Sequence, residues 1–532
     1  MIRLMKPAVS GKQAGGDFML WALSRIISVQ RRLFGLTCFP EFFNVLKTVH
    51  LNTVIMSGHI RILLINPPHT GRMIFPSIND RIAFRMHDFA PPLGLLYIKS
   101  YLEENTRATV DFFNFQTPGQ PKLRRFIDRL HQFRPHVAAI SVISPFWYGA
   151  CLVTDAIREH LPDTVIVGGG PHMWTYTEDT LDRGRFDITV QGQGEIPLTE
   201  IAERVEQSRA FNGIPGTTCR VAGRIVQTPP ARIDKTALDQ LPFPDRSVLD
   251  IKQHRFSVNR HHPCALMVAS RGCPYNCTFC NNQERYFLPR NPVLVAEEML
   301  DCKNLGYRSI QFSDDVFTFS REHVIDLCRH IRNIRVGLPW SCQTRVDCVD
   351  RELLGEMAAA GCERIQFGIE SANPGTLARI NKNISPDQIR RAFAMCRAAR
   401  LMTIANIIIG FPWETEADIQ NTFGFVSSLD ADYVFCNPLI PFPGTKIFEE
   451  ASHDPNYDSE WFKRFVRAPE ANSRITLWTA GIDEPRICAM IKSFYRRYYF
   501  HPRRLGRYLS NLTGPADIIG KCATGMKLIV YR

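Results

Sequence analysis

Short apolar runs alternate with helical patterns along most of this chain, and this alternation limits the possible folds more than any other feature. In the first series, strand and helix patterns follow one another at residues 60–65, 93–102, 110–113, 123–133, 137–142, 153–161, 164–167 and 187–190. Strands separated by helices of roughly ten residues predict βαβ units and a parallel sheet that is covered on both faces. We therefore expect an α/β domain over residues 59–212.

Small and glycine-rich segments follow the strands of this first series. The segments are NPP at residues 66–68, SVISP at 141–145, GGGPH at 168–172 and QGQGE at 191–195. Ligands bind at the carboxyl ends of parallel strands, and glycine lets the backbone approach a large ligand closely. We therefore predict a ligand site at this edge of the sheet, with contacts from Ser141, Ser144, Gly168, Gly169, Gly170, Gly192, Gly194 and Glu195.

A second series of strand patterns lies at residues 264–269, 309–312, 340–342, 364–367, 403–409 and 432–436, with helical patterns between them. This series predicts six further β/α units. The active edge of such an arrangement is again the one formed by the carboxyl ends of the strands.

Three cysteines come directly after the first strand of the second series. Cys273, Cys277 and Cys280 have the spacing C-x3-C-x2-C. A [4Fe–4S] cluster is normally held by four thiolates, so three leave one iron open for a ligand that is not protein. The alternative is a structural zinc site at the last two cysteines, which needs a second pair at similar spacing, whereas Cys264 and Cys302 stand alone.

The run SRGCPYNCTFCN at residues 270–281 resembles the signature of the radical SAM superfamily. The resemblance implies that the open iron binds the amino and carboxylate groups of S-adenosylmethionine. An electron from the cluster then cleaves this molecule to a 5′-deoxyadenosyl radical. The resemblance also implies that the six β/α units form a partial (β/α)6 TIM-type barrel, the radical SAM domain, over residues 259–470.

The first domain, followed by this cysteine loop, resembles the Rossmann-like cobalamin-binding domain that is fused to many radical SAM enzymes. The group includes the anaerobic magnesium-protoporphyrin monomethyl ester cyclase. The LPFPD run at residues 241–245 matches the linker of the family, which we place at residues 213–258. The D-x-H-x-x-G element that supplies a histidine to cobalt in many cobalamin proteins is absent, so His172 is either a cobalt ligand or a loop residue that contacts the cofactor tail.

Three barrel motifs are expected near S-adenosylmethionine, at residues 313–318, 368–371 and 410–414. By resemblance, Asp314 lies near the ammonium group, and Glu370 or Ser371 lies near the ribose or the carboxylate. Each acidic residue has an alternative role as a helix N-cap at a βα turn. Gln343 and Arg345 are weaker candidates for the same site. A magnesium–phosphate site at Asp314 and its neighbour lacks the P-loop that would support it.

The resemblance implies a methyltransferase that acts on an unactivated carbon of a small-molecule or lipid substrate. One S-adenosylmethionine methylates cobalamin, and a second supplies the radical that abstracts hydrogen from the substrate. The alternative is an oxidative cyclase or another non-methylating radical enzyme that acts on a tetrapyrrole or similar substrate. No catalytic residue is assigned beyond the cofactor ligands, and the expected electron donor is a flavodoxin or a ferredoxin.

The composition favours a reducing cytoplasm, because the 16 cysteines stand singly apart from the three above. No uninterrupted apolar run reaches the roughly 18 residues that a membrane-spanning helix requires. Residues 1–58 lack the compact apolar run of a secretory signal. We expect them to be an N-terminal extension, either peripheral and helical or upstream of the natural start.

Basic residues are concentrated in the C-terminal region. From Lys463 onward the chain has 14 Lys and Arg against four acidic residues, in a protein of net charge +12. We predict a basic helical region at residues 471–532, in which the aromatic and basic run 494–505 either contacts an anionic membrane surface or packs on the body of the protein. Nucleic acid is not an expected partner.

Overall fold

The computed structural model describes residues 59–69, 72–74, 91–117, 122–230, 233–256, 258–282, 284–502 and 504. The predicted N-terminal extension at residues 1–58 and the last part of the basic region, residues 505–532, lie outside the described residues. Within the described ranges, the helices are either too short or too polar to cross a membrane.

The first part of the described chain contains strands and helices in alternation. In chain order they are β1 (Arg61–Asn66), β2 (Arg72–Ile74), α1 (Leu93–Asn105), β3 (Thr109–Asn114), α2 (Lys122–Phe133), β4 (Val137–Ser141), α3 (Trp147–His160), β5 (Val165–Gly169), α4 (Thr177–Gly184), β6 (Ile188–Val190), α5 (Glu195–Glu206), β7 (Thr217–Val221), β8 (Arg224–Gln227) and α6 (Lys235–Asp239). Seven of the strands form one sheet in the order β3-β1-β4-β5-β6-β7-β8.

Strands β3, β1, β4, β5 and β6 are parallel, as the sequence predicts. β1 and β4 are buried along almost their whole length because helices cover both faces of the sheet, which explains their continuous apolar runs. Their carboxyl ends place the small-residue segments along one edge. The first domain is therefore a doubly wound sheet.

The hairpin β7–β8 extends the same sheet in antiparallel pairing. The predicted linker at residues 213–258 is wrong for this stretch, because the hairpin pairs with β6 and belongs to the first domain. Ala222 and Gly223 form its two-residue turn, with φ angles of 48° and 79°. Positive φ at both central residues is typical of a type I′ hairpin turn, which usually has Asn or Asp before the glycine, so the Ala-Gly pair gave only a weak signal.

The second part of the described chain forms the barrel and the C-terminal region. In chain order the elements are β9 (Cys264–Met267), β10 (Ser270–Arg271), β11 (Leu288–Pro289), α7 (Pro292–Asn304), β12 (Ser309–Phe312), α8 (Arg321–Asn333), β13 (Trp340–Thr344), α9 (Arg351–Ala359), β14 (Cys362–Glu370), α10 (Pro374–Arg379), α11 (Pro386–Ala398), β15 (Met402–Ile409), α12 (Glu416–Leu429), β16 (Tyr433–Pro438), α13 (Lys446–Ser452), α14 (Trp461–Arg467), β17 (Asn472–Arg474) and α15 (Glu484–Tyr499).

Six parallel strands form the barrel sheet in the order β16-β15-β14-β13-β12-β9. Each strand lies beside the next one along the chain, as in a TIM-type barrel. The predicted fold class is therefore confirmed: an α/β protein with a Rossmann-like domain, a partial (β/α)6 barrel and a mainly helical C-terminal region.

Helix α15 covers β16, the edge strand of the barrel sheet. The Tyr495 hydroxyl donates to Cys436 O at 3.2 Å and accepts from Cys436 N at 2.8 Å. The Tyr499 hydroxyl makes the same pair of bonds with Val434, at 3.1 and 3.0 Å. Backbone groups of an edge strand otherwise lack partners, so the aromatic run packs on the body of the protein through these bonds.

The end of the predicted radical SAM domain and the start of the C-terminal region both contact the first domain. Trp147 Nε1 donates to Val466 O at 3.0 Å, and β17 pairs in parallel with β2. The two domains and this segment are therefore packed as one unit, which the sequence patterns did not indicate.

Candidate iron–sulfur and cofactor site

The cysteine loop begins where β10 ends, at the carboxyl end of the first barrel strand β9. Cys273 N donates to Glu284 O at 3.0 Å, and Cys280 N donates to Cys277 O at 3.2 Å. Gly272 has φ +79°, and a Cβ at this position would collide with Tyr286 O. The loop shape is thus set by backbone contacts and by glycine, which leaves the three thiols free to bind iron.

The surroundings of the thiols fit an iron–sulfur cluster. Burial raises the pKa of Cys273 and Cys277, while the nearby Lys382 and Arg345 cations lower the pKa of Cys277 in part. Thiolates at such a site are stabilised by these cations and by bound iron. Within the described residues, no three His, Cys, Asp or Glu side chains converge on the position of a single metal ion. A [4Fe–4S] cluster does not require such convergence, because each cysteine binds a different iron.

Two buried donors beside the loop also fit a bound group. Among the residues that the structure describes, neither Thr278 Oγ1 nor Arg345 Nη1 has a hydrogen-bond partner. Thr278 lies between the second and third cysteines, and the Arg345 guanidinium stacks on Tyr275 of the loop at 3.8 Å. Hydrogen bonds to cluster sulfur tune such centres, so these donors suit a cluster with its bound ligand.

Asp314 and Asp315, at the carboxyl end of β12, hold the two ends of the loop. The Asp314 carboxylate accepts from Ser270 Oγ at 2.5 Å and from Ala269 N at 3.0 Å. Asn282 Nδ2 donates to Asp315 Oδ2 at 2.7 Å. Asp314 is buried, which raises its pKa to about 6 although these bonds lower it. The Asp314 carboxylate therefore holds the start of the cysteine loop in place.

Glu370 forms a buried ion pair at the end of β14. Its Oε1 accepts from Lys382 Nζ at 2.8 Å, and both side chains are less than a tenth exposed. A Cβ at Gly368 would lie 2.5 Å from Glu370 Oε1 and 2.9 Å from Lys382 Nζ, so a larger residue there would displace the ends of both side chains. Lys382 was not predicted from the sequence, because it stands in a short loop without a motif.

Ser371 faces a different neighbour from Glu370. Its hydroxyl donates to Glu414 Oε1 at 3.2 Å, which joins the second and third barrel motifs. Burial raises the pKa of Glu414 to about 7. Asn373 is the N-cap of α10, so Glu370 does not have the capping role considered above.

Carboxamide side chains share the inner face of the barrel with Gly368. Register places Gln343 beside Gln366, and Gly368 beside Asn406. Within the described chain, Asn406 Oδ1 is buried without a hydrogen-bond partner. A polar residue inside the apolar run of β15 was a signal for this position that the sequence analysis did not use, because unpaired polar groups are costly inside a core.

The loops after β4 and β5 come together in the first domain. His172 is buried, its Nδ1 lies 3.1 Å from Ser144 Oγ, and its ring lies 4.4 Å from that of Trp147. Burial lowers the pKa of His172 to about 3, so the ring is neutral. His172 Nε2 has no partner among the described residues, which fits a hydrogen bond to a bound group.

Two of the three glycines in the loop after β5 have close protein neighbours. A Cβ at Gly168 would lie 2.9 Å from the Met173 sulfur. Gly170 has φ +92°, and a Cβ there would lie 2.7 Å from Val142 O. At Gly169 the nearest atom would be 4.0 Å away, so this position is open to a ligand.

The last predicted loop of the first domain, residues 191–195, contacts the cysteine loop. Arg271 Nη1 donates to Gln193 Oε1 and Arg271 Nη2 donates to Glu195 Oε1, both at 2.6 Å. Gly192 has φ +90°, and a Cβ at Gly194 would lie 2.7 Å from Ile98. Glu195 is therefore bound to the segment of the cysteine loop, and Gly192 is needed by the turn because of its positive φ.

Comparisons with known proteins identify both domains. The radical SAM superfamily matches residues 267–426, and the B12 binding domain matches residues 82–202. An uncharacterized methyltransferase of Pyrococcus horikoshii is 28% identical over 471 residues, which cover 86% of this chain and 98% of that protein. The anaerobic magnesium-protoporphyrin IX monomethyl ester cyclase of Rubrivivax gelatinosus is 24% identical over 438 residues, 79% of this chain and 77% of that protein.

A solved structure has the same fold. The radical S-adenosylmethionine methyltransferase TsrM from Kitasatospora setae, with cobalamin and a [4Fe–4S] cluster bound, superposes with a TM-score of 0.65 at 19% identity. The match covers 84% of this chain and 90% of that one. The order of the two domains is the one predicted from the sequence.

Proposed function

We infer that this chain, which carries a radical SAM domain and a B12 binding domain, is a methyltransferase that acts on an unactivated carbon of a small-molecule or lipid substrate. Its cofactors are a [4Fe–4S] cluster, S-adenosylmethionine and cobalamin. The observation that carries the inference is the similarity to the methyltransferase of Pyrococcus horikoshii, which is 28% identical over 86% of this chain. The bonds from Arg271, beside the cysteine loop, to Gln193 and Glu195 join the two domains that would hold the radical source and the methyl carrier.

When bound, the cluster and S-adenosylmethionine supply a 5′-deoxyadenosyl radical, and cobalamin supplies the methyl group. Cys273, Cys277 and Cys280 are the proposed iron ligands. Arg345 and Lys382, which also pair with Asp347 and Glu370, are proposed to hold the carboxylate of S-adenosylmethionine through Arg345 Nη1 and the Lys382 ammonium, because such a carboxylate gains charge-assisted hydrogen bonds.

The remaining predicted site residues have proposed positioning roles. Glu370 or Ser371 accepts from the ribose hydroxyls, and Asp314 acts on the ammonium end by holding the loop at Ser270. In the first domain, the proposed cobalamin contacts are Ser141, Ser144, Gly168, Gly169, Gly170, Gly192 and Gly194. Glu195 is proposed to act through Arg271, and His172 is proposed to contact the cofactor as a neutral ring.

An oxidative cyclase is the second candidate. The similarity to the magnesium-protoporphyrin ester cyclase over most of both chains favours it. Both candidates use the same radical, so the two reactions differ only in the steps after hydrogen abstraction. A methyltransferase product gains a methyl group, whereas a cyclase product gains a ring and loses hydrogen.

The test is anaerobic reconstitution with iron, sulfide and hydroxocobalamin, followed by incubation with extracts of a deletion strain and methyl-labelled S-adenosylmethionine. We expect a metabolite that is missing from the deletion strain to acquire the label. Formation of 5′-deoxyadenosine together with an unlabelled, oxidised product would establish the cyclase instead. Absence of corrinoid absorbance in the reconstituted protein would overturn both cobalamin-dependent reactions.

Two partners belong to this proposal. A flavodoxin or ferredoxin is the proposed electron donor, because the cluster must be reduced before each cleavage.

Lys492, Arg496 and Arg497 are exposed on α15, on a helix whose aromatic residues pack inward. Each basic residue near an anionic membrane contributes about 1 kcal/mol, so we propose weak, salt-sensitive peripheral contact of an otherwise cytoplasmic protein. Sedimentation with anionic vesicles at low salt tests this contact. Equal vesicle binding by the wild type and by the variant in which Lys492, Arg496 and Arg497 are all replaced by Gln would contradict it.

A further inference from the structure

The Arg271 guanidinium connects the cysteine loop to the first domain at two points. Arg271 precedes Cys273 by two residues, and its two terminal nitrogens bond Gln193 and Glu195 at 2.6 Å each. The side chains of Arg271 and Glu195 are 15% and 4% exposed. A buried ion pair of this kind depends strongly on its geometry, because neither partner has water as an alternative.

Gln193 also contacts the segment that follows the cysteine loop. Its Nε2 donates to Tyr286 Oη at 2.9 Å and to Glu284 Oε1 at 3.4 Å. Glu284 O in turn accepts from Cys273 N at 3.0 Å. One side chain of the first domain therefore contacts residues on both sides of the three cysteines.

The shape of the arginine matters for this connection. A guanidinium is a planar fork that reaches two acceptors at once, whereas a lysine ammonium is a point charge on a flexible stem. The Tyr97 ring of α1 lies 5.5 Å from the Arg271 guanidinium and limits its movement on one side. Three residues of the first domain, Gln193, Glu195 and Tyr97, thus orient the fork.

We propose that Gln193 and Glu195 are positioning residues that set the separation between cobalamin on the first domain and S-adenosylmethionine on the cluster. The proposal rests on the proposed function, in that both cofactors bind this chain. Methyl and hydrogen-atom transfer both require the reacting atoms in near contact, and a misplacement of about 1 Å costs about 100-fold in rate. Because Arg271 lies two residues before Cys273, its bonds to Gln193 and Glu195 control this distance directly.

The experiment measures the distance without a substrate. In the reconstituted full-length protein, cob(II)alamin and the reduced cluster are both paramagnetic, and their dipolar coupling in pulsed EPR reports their separation. We expect one narrow distance for the wild type. Glu195→Gln and Arg271→Lys should lose the narrow distance while iron and corrinoid content stay at wild-type levels.

A second readout follows methyl transfer between the cofactors. S-adenosylmethionine donates its methyl group to chemically reduced cobalamin and leaves as S-adenosylhomocysteine, which is quantified in the absence of substrate. We expect Glu195→Gln to lower this rate about 100-fold, with 5′-deoxyadenosine formation at the cluster retained.

Asp245→Asn is the matched control. Asp245 forms an ion pair of 2.8 Å with Lys99 of α1 and so joins the linker to the first domain. Among the described residues it does not contact the cysteine loop. The control should keep both the distance and the transfer rate even where it lowers the melting temperature.

Unchanged coupling and transfer rate in both Glu195→Gln and Arg271→Lys would overturn the positioning role. An equal loss in Asp245→Asn would also overturn it, since the effect would then be one of general domain packing. Failure of the wild type to take up cobalamin would count against the proposed function instead, so the two results are distinguishable.

Discussion

The cysteine loop and the glycine-rich loops of the first domain both follow parallel strands, yet they use their residues in opposite ways. In the cysteine loop, backbone contacts and Asp314 maintain the shape, and the thiols are the proposed iron ligands. In the first domain, Gly168 and Gly170 are required by Met173 and Val142 of the same domain. A glycine-rich loop is thus a weaker indication of a ligand than reactive side chains that have no packing role.

The largest effect is expected at the three cysteines. Cys273→Ala, Cys277→Ala and Cys280→Ala should each abolish formation of 5′-deoxyadenosine, because each removes one of three iron ligands. Iron content and chromatographic assay of 5′-deoxyadenosine measure this. Cys328→Ala, on the buried face of α8, is the control and should keep both. Wild-type cleavage by any one of the three variants would remove the contrast between the two kinds of loop.

A smaller effect is expected at the buried pair beside the cysteine loop. Lys382→Met leaves the Glu370 carboxylate buried without its partner and should lower the free energy of unfolding by about 3 to 5 kcal/mol. Anaerobic urea titration measures this loss. The double variant Lys382→Met/Glu370→Gln should recover most of the stability but should not recover binding of S-adenosylmethionine. Recovery of both would mean that the pair serves packing alone, as the glycines of the first domain do.

The pH dependence of stability at Glu414 tests whether the third barrel motif, residues 410–414, serves packing. The pKa of Glu414 is raised from 4.5 to about 7, so between these pH values the folded protein holds a proton that the unfolded chain releases. The free energy of unfolding therefore falls by about 3 kcal/mol as the pH rises through this window, because the stability that the buried proton supports at low pH is lost.

Glu414→Gln should accordingly match the wild type at about pH 5 and be more stable at about pH 8. Urea titrations at both values check this. Glu416→Gln is the control, because Arg486 lowers the pKa of Glu416 and its removal should give no gain at high pH. A wild-type-like pH profile for Glu414→Gln would show that this carboxyl does not titrate in the expected window.

The smallest effect separates two adjacent glycines of the first domain. Gly170→Ala forces a side chain into a positive φ and against Val142 O, which should cost about 1 to 3 kcal/mol of unfolding free energy. Gly169→Ala meets no close protein atom and should leave stability unchanged while weakening uptake of hydroxocobalamin. Thermal unfolding and corrinoid absorbance measure the two effects. Equal cobalamin uptake by Gly169→Ala and wild type would contradict a ligand contact at this position.

Most of the fold was predictable because it depends on local periodicity. The strand patterns at residues 137–142 and 309–312 correspond to β4 and β12 within a residue or two. The cysteine spacing predicted the cluster loop for a similar reason, since the three ligands lie within eight residues. The hairpin β7–β8 was missed because its strands are short and only partly buried, so they lack a strong apolar pattern.

The sequence by itself determined the two domain types and their order, and it supplied the three cysteines that we propose as iron ligands, because each of these depends on residues that are close along the chain. Only the tertiary structure decided that Glu195 binds Arg271, 76 residues away, that Lys382 pairs with Glu370, and that Tyr495 completes the edge of β16. Each of these contacts joins separate elements. Side chains from separate elements meet only when the sheets and helices have packed, and no local spacing specifies that meeting.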